Sequence, residues 1–335
     1  MRLILAPMAG LSHEGLRRAV ARFGGCDEYY TEMIQAGTLL CGGPFERYYM
    51  RAGPEPDRLV WQITGSKTEH MARAAAMLCG IGGKGIDINM GCCAPDIYRH
   101  GAGIAWMLKD PRETAVLIAA VRNAVSASGG GRLSVKIRLG REGFRDEEFF
   151  SFCDMLASEG VQVITLHPRT LKEKYRLPPR WEYVQRLAEF LRGRGCRTEV
   201  VLNGAVCSVS SLRAALSAAP DAAGVMIGRE AVKRPWVFNE LACSSMFESE
   251  TKKAPPASID VYETALAFLS DLEECQPREF FKTRSQRFFT YYCDNVLFAQ
   301  HLRTELLNSA SLEQVRERLA CYFEQVPEDR FIPFS

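Results

Sequence analysis

The stretch GIDINMGCCAPDIYRHGAG, residues 85–103, sets Asn89 and two adjacent cysteines, Cys92 and Cys93, just past a short apolar run. Neighbouring cysteines bridge each other only with difficulty, and there is no cysteine–histidine cluster at zinc spacing, so neither a disulfide nor a structural metal explains the pair. Other polar residues end apolar runs in the same way: Pro7 and Met8, Glu32, Gln62, Lys136 with Arg138, His167 with Arg169, Asn203-Gly204 and Gly228-Arg229. Taken singly, an amide there satisfies backbone groups and a lysine reaches solvent. Their concentration at one kind of position is the signal. The last two pairs, in NGAV and GREA, suit a phosphate, because glycine lets the backbone approach an anion and Arg229 adds a bidentate contact. The same glycines also suit two tight turns that hold no ligand.

These residues need elements to position them. Apolar runs at 3–7, 27–33, 59–64, 85–90, 133–139, 161–167, 198–204 and 224–228 read as strands, with helical stretches at 13–23, 68–80, 111–127, 146–159, 181–193 and 209–218. Seven of the eight strands are rich in Val, Ile or Leu, as strands buried on both faces are. Eight strands alternating with helices predict an α/β fold, a (β/α)8 TIM barrel whose strand C-termini face the active site. A doubly wound sheet would want a glycine fingerprint after its first strand, which APMAGLSHEG does not supply. The polar, proline-bearing 248–258 reads as a linker between the barrel, 1–247, and a small C-terminal helical domain, 259–335, with helices at 259–275, 278–306 and 311–325.

The 335 residues carry a net charge of +2, so composition alone offers no argument for a polyanion partner. The twelve cysteines are scattered with no CxxC, which predicts reduced, mostly buried thiols and no metal site. Pro7 cuts the N-terminal apolar burst below the ~7–15 residues of a signal core, and no run reaches the ~18 of a membrane span. The expectation is a cytoplasmic protein with no membrane association and no evident obligate protein partner.

In order along the chain, APMAGLS, TEM, WQITGS, DINMGC…AGIAWM, VKIRLG, LHPRT, LNGAV and VMIGREAVKRPWVF resemble the motif series of the tRNA-dihydrouridine synthases. The resemblance covers roughly residues 1–240, and RSQRFFTYY…LRTELLNSASLEQV is similar, less distinctively, to that family's helical tRNA-binding domain. It implies FMN in the barrel mouth, NADPH as reductant, and reduction of the C5–C6 bond of a tRNA uridine. By the same resemblance Gln62 and Lys136 contact the flavin's polar edge, Pro7 and Met8 lie against its ring, and His167 touches it. Asn203, Gly204, Gly228 and Arg229 hold its phosphate. Cys92 is implied as the general acid and must stay protonated near neutral pH, and Asn89 orients the uracil. The chain departs from the family at Cys93, where proline is usual, at Ala205, at Pro168 and at Glu230. Losing the proline frees the loop, and Cys93 reads either as a small filler or as a stand-in for Cys92.

Residues 254–335 are acidic overall, with eight Lys and Arg against thirteen Asp and Glu, yet PREFFKTRSQRFF gathers Arg278, Lys282, Arg284 and Arg287. On a helix Arg284, Arg287 and Tyr291 share a side, which suits phosphate contact and stacking, or equally a solvated face over an aromatic core. RTLKEKYRLPPR, with Arg169, Lys174 and Arg176, follows strand six at the mouth and is the better RNA contact; RGRGCR, 192–197, falls on the opposite rim. Two rival readings remain at this level: an FMN barrel acting on a free small molecule, and a non-catalytic RNA-binding protein on the same scaffold.

Overall fold

The computed structural model describes residues 1–244 and 250–334. Eight parallel strands run in sequence order around a ring: β1 (Arg2–Leu5), β2 (Glu28–Tyr30), β3 (Leu59–Thr64), β4 (Gly85–Met90), β5 (Arg132–Ile137), β6 (Val163–Leu166), β7 (Glu199–Asn203) and β8 (Gly224–Ile227). β8 pairs back onto β1, with Ile227 opposite Leu5, so the sheet closes and has no edge to protect. The TIM barrel expected from strand spacing is the fold observed. A two-residue strand, Ile34–Gln35, adds to the upper end of β3.

Alternation along each strand sends every second residue inward, and the inward residues form layers. At the bottom Glu28 is fully buried and meets three cations, Arg2, Lys84 and Arg132. Above it Ile4, Ala6, Tyr30, Val60, Val163, Val201 and Met226 pack as an apolar plug. The next inward positions, at the strand C-termini, are polar and make the mouth. The outward residues, such as Trp61, Ile63, Ile86 and Ile88, pack under the surrounding helices. Those helices start where local chemistry tells them to: Asp110 accepts from the Arg112 amide, and Ser208 and Ser211 form a reciprocal cap.

The C-terminal part is helical, with Val261–Cys275, Arg278–Tyr292, Ala299–Leu307 and Leu312–Gln325. The helical stretch expected over 278–306 is two helices, separated at Cys293–Phe298, where the Asn295 amide donates to the carbonyls of Tyr292 and Lys233. A short antiparallel pair, Ser258–Asp260 with Phe331–Pro333, was not legible as strands. This part shares its core with the barrel: Leu11, Leu16, Ala19, Val232 and Trp236 cluster with Phe268, Leu272, Phe288 and Tyr292. Of the expected linker 248–258, residues 248 and 249 lie outside the described residues. Its next stretch is fastened to the barrel, with Lys253 donating to Asn239, Ala21 and Arg22. The twelve cysteines are unpaired, but only Cys26, Cys153, Cys275 and Cys293 are buried, fewer than expected.

Burial alone would push the Glu28 carboxyl up, but Arg132, Arg2 and Lys84 overcome it and hold the group at about 2. Its stabilising contribution is therefore complete above the unfolded value near ~4.3 and is lost as pH falls from there toward 2. Glu28→Gln leaves Arg132 and Lys84 without a carboxylate partner among the described residues and Arg2 with Glu199 alone, and should cost about 3–5 kcal/mol at pH 7. Urea unfolding at pH 7 and pH 3 tests this; an equal gap at both pH values would mean that the ionised carboxylate is not the source.

Candidate active site

The mouth is organised by a chain of hydrogen bonds rising through β4. Asp87 is fully buried, and its two oxygens accept from Ser134 Oγ and Gln62 Nε2, both at 2.7 Å. With the Gln62 nitrogen committed downward, its oxygen faces Asn89 and accepts from Nδ2 at 2.9 Å. The Asn89 oxygen in turn accepts from the Cys92 and Gly91 amides, at 2.9 and 3.2 Å. A carboxylate can only accept, so this one group fixes both amide orientations and, through them, the backbone at Cys92. On its other side the Cys92 carbonyl accepts from the Ile104 amide at 3.0 Å. Gly103, at φ +59°, permits that approach, since a Cβ there would lie 2.6 Å from the same carbonyl. The proline missing at Cys93 is thus offset by contacts on both flanks of Cys92.

Burial pushes the Cys92 thiol up, with Cys93 adding to the shift and Lys136 and Arg138 opposing it, so the group stays protonated at neutral pH. Both Cys92 and Cys93 are close enough to bear on Lys136, so both thiols belong to the mouth. Burial, then Arg138, lowers Lys136 to about 8. Asp87 is raised to about 6 by burial, with the Gln62 and Ser134 hydrogen bonds pulling the other way.

Across the mouth from β4, His167 follows β6. Burial lowers its basicity first, and Lys136, Arg138, Arg169 and Arg229 lower it further. Arg169 Nη1 lies 2.6 Å from His167 Nε2. Arginine is donor only, so Nε2 accepts and the neutral ring carries its proton on Nδ1. Gly204, at φ +120°, leaves room for this ring, which a Cβ would approach to 2.9 Å. Asn203 ties β7 to β8 by donating to the Met226 carbonyl at 2.8 Å. Gly228 faces Met8, whose sulfur would lie 3.3 Å from an added Cβ. Tyr175 stacks on His167 at 5.8 Å and has the Arg229 guanidinium 4.4 Å from its ring centre.

Gln62, Asn89, Cys92, Lys136, Arg138, His167, Asn203, Gly204, Gly228 and Arg229, with Pro7 and Met8 on the loop after β1, therefore all sit at the strand C-termini of one barrel. Four of the cations, Lys136, Arg138, Arg169 and Arg229, form no ion pair with any carboxylate among the described residues, which suits an anionic ligand.

Several expected RNA contacts are placed otherwise. Arg169 is only 1% exposed, and its other donors go to the Leu177 and Tyr175 carbonyls, so it builds the site rather than its outer surface. Arg138 is buried too, donating to the Thr170 carbonyl at 2.9 Å. Arg284 does not join a solvent-facing stripe: it is buried against the barrel and paired with Glu32 at 2.5 Å. Arg287 is exposed, but its guanidinium donates to the Ala9 carbonyl at 2.6 Å. Helical spacing correctly put Arg284 and Arg287 on one side; that side faces the barrel. Lys174 and Arg176 are exposed beside the mouth, together with Lys172. Arg278 and Lys282 are exposed on the opposite side of their helix, along a cleft of about 370 Å³ that also takes in Ser285 and Ser311. RGRGCR lies between its helix and the start of β7, on the rim away from the mouth. Asp87 and Tyr175 were missed. Asp87 had a signal, an acid at an inward position of an otherwise apolar strand.

Among the described residues no group of three or more His, Cys, Asp or Glu could hold a metal, and no helix is long and apolar enough to cross a membrane.

A closed parallel barrel with a protonated thiol, an ordered amide chain and unpaired cations at its C-terminal rim defines a barrel enzyme. The family model described as dihydrouridine synthase matches residues 4–327. A tRNA-dihydrouridine(16) synthase of Ralstonia nicotianae is 33% identical over 70% of this chain and 71% of its own. One from Pseudomonas syringae pv. tomato is 31% identical over 74% and 77%. A probable tRNA-dihydrouridine synthase of Staphylococcus aureus is 26% identical over 97% and 94%. The chain belongs to the dihydrouridine synthase family, and it is an oxidoreductase.

The raised Cys92 thiol predicts that its alkylation by iodoacetamide is slow at pH 7 and climbs only above about pH 9. Peptide-level mass spectrometry over a pH series checks this; rapid labelling of Cys92 at pH 7 would show a thiolate and exclude the acid role.

Proposed function

We propose that this protein reduces the C5–C6 bond of a uridine in tRNA, with FMN held in the barrel mouth, NADPH as the reductant and Cys92 as the proton donor. The observation that carries the reading is a thiol kept protonated in the same mouth as Lys136, Arg138, Arg169 and Arg229, cations with no carboxylate to neutralise them among the described residues. The bound flavin supplies hydride chemistry, and NADPH restores it.

The chain's own residues do the rest. Gln62, oriented by Asp87, and Lys136 would hold the flavin's polar edge, where an ammonium with no ion-pair partner stabilises negative charge. Arg229 with the backbone at Asn203-Gly204 and Gly228 would hold the phosphate. Pro7 and Met8 border the ring, and neutral His167 offers Nδ1–H as a donor. Asn89 sets the uracil edge beside Cys92. Addition of hydride at C6 leaves an electron pair on C5, and the Cys92 thiol gives its proton there; solvent then reprotonates the sulfur. Arg138 lies close enough to oppose the upward shift of Cys92, at the base of the substrate's approach. The target base must leave the stacked RNA to reach this depth.

In this reading the barrel, 1–247, does the chemistry and 259–335 helps carry the RNA, with 248–258 joining them. Lys172, Lys174 and Arg176, free at the mouth, are the first phosphate contacts, with Arg278 and Lys282 further out.

Purified protein, NADPH and unmodified tRNA test the reading, with dihydrouridine scored by nucleoside mass. Cys92→Ala should keep flavin and tRNA but lose turnover on the order of 10²–10⁴-fold, and Cys93→Ala should be mild. Equal losses in the two would move the acid to the wrong-looking thiol, and NADPH consumption with untouched tRNA would favour a small-molecule FMN reductase. Position 16 is the first site to map, since that number is in two relatives' names.

Replacing Lys172, Lys174 and Arg176 by Ala together should weaken tRNA binding and reduce the slope of log K against log salt by roughly 2–3. An unchanged slope would place the RNA elsewhere.

A further inference from the structure

The loop between β1 and the Glu14–Phe23 helix carries Pro7 and Met8, and its shape depends on residues nearly the whole chain away. Within the loop, Met8 accepts from the Leu11 and Ser12 amides, both at 3.0 Å, and its own amide donates to Ser12 Oγ at 2.8 Å. Two backbone groups at the turn are left over, the Ala9 carbonyl and the Gly10 amide. Arg287 donates to the first at 2.6 Å, and Glu32, at the end of β2, accepts from the second at 2.6 Å. The other Glu32 oxygen takes Arg284 at 2.5 Å, and the Arg284 guanidinium lies 4.9 Å from the Phe280 ring centre and 5.6 Å from that of Tyr49. Gly10, at φ +73°, fits beneath the Arg287 side chain, which an added Cβ would meet at 2.7 Å.

We propose that Arg287 and the Arg284–Glu32 pair are positioning residues for the flavin: from the Arg278–Tyr292 helix they hold the 8–11 loop in the shape that receives the ring. The C-terminal helical part is then a portion of the cofactor site as well as an RNA-carrying element. This rests on the reading of the mouth as a flavin site. It also explains why two arginines that looked suited to RNA are spent on the barrel. Neither reaches the reacting atoms. Both act through the Ala9 carbonyl and the Gly10 amide, whose hydrogen-bond partners come from outside the loop.

The test uses the full-length protein and Arg287, because truncating Arg284 strands the buried Glu32 charge and risks the fold. Arg287→Ala should raise the FMN dissociation constant about tenfold, the loss expected for one charge-assisted hydrogen bond, and should shift the visible circular dichroism of the bound flavin. Arg287→Lys, which still donates, should recover part of both. Lys282→Ala, an exposed cation on the same helix with no contact to the loop, should change neither. Hydrogen exchange of the flavin-free protein gives a readout independent of the cofactor: Arg287→Ala should speed exchange in residues 8–11 and leave the helix itself protected. Unaltered exchange in 8–11, or equal loosening of FMN by Lys282→Ala, would overturn the clamp. If the wild-type protein takes no FMN while the exchange result holds, the flavin reading fails and the clamp stands as a loop-positioning device only.

Discussion

A buried carboxylate accepts hydrogen bonds and donates none, and in this barrel that one-sidedness orders the mouth. Asp87 takes the Gln62 amide hydrogens, so the Gln62 oxygen must look up; Asn89 must then give its amide and present its own oxygen to the Cys92 backbone. Each amide alone could be turned over at little cost. Anchored on a group with no donor, the series has a single low-energy arrangement. The Cys92 thiol is therefore positioned by its backbone, from below, and burial outweighs the Ala94 backbone hydrogen bond that would favour its thiolate.

Charge is distributed along the barrel axis to the same end. At the closed bottom each of three cations has a carboxylate partner, since all share one fully buried glutamate and Arg2 also meets Glu199. The mouth differs, since Asp87 points into the interior while four cations lack ion-pair partners among the described residues. A surplus of that size around a buried histidine is costly to maintain unless a ligand brings negative charge to it. The neutral state of His167 follows from the same surplus, because a further positive charge among these groups is the least tolerable outcome. A polyanion at the rim and a phosphate deeper in would both meet this field, so that under the proposed function one arrangement would serve cofactor and RNA.

Much of this was legible from residue order. Continuous apolar runs, spaced by helical segments, are a consequence of closing a parallel sheet under helices, and they located all eight strands within a few residues. The motif residues at strand ends converged because a barrel gathers those ends by construction. What escaped notice was whatever depends on the partner of an element. Helical spacing put Arg284 and Arg287 on one face but could not say that a glutamate and a carbonyl of the barrel lay against it. Arg169 was expected to contact RNA because its segment lies at the mouth, yet backbone carbonyls of the 170–177 loop capture both it and Arg138. The break after Tyr292 has no proline or glycine to announce it; the Asn295 side chain makes it by taking carbonyls from two elements.

The inward arginines change what the C-terminal part is for. An RNA-binding module that merely rode on the barrel would meet it through a polar, separable surface. Here Phe268, Phe288 and Tyr292 share a core with Leu16 and Trp236, and around that core Arg18 and Arg22 of the barrel engage Asp271 and Glu274. An interface so apolar at its centre and so paired at its rim favours one fixed relation between the two parts. With that relation fixed, RNA carried on the helices, as proposed, would meet the mouth at a set distance and angle. Under the proposed function, the choice of uridine is then a matter of which base the fixed geometry presents to Cys92.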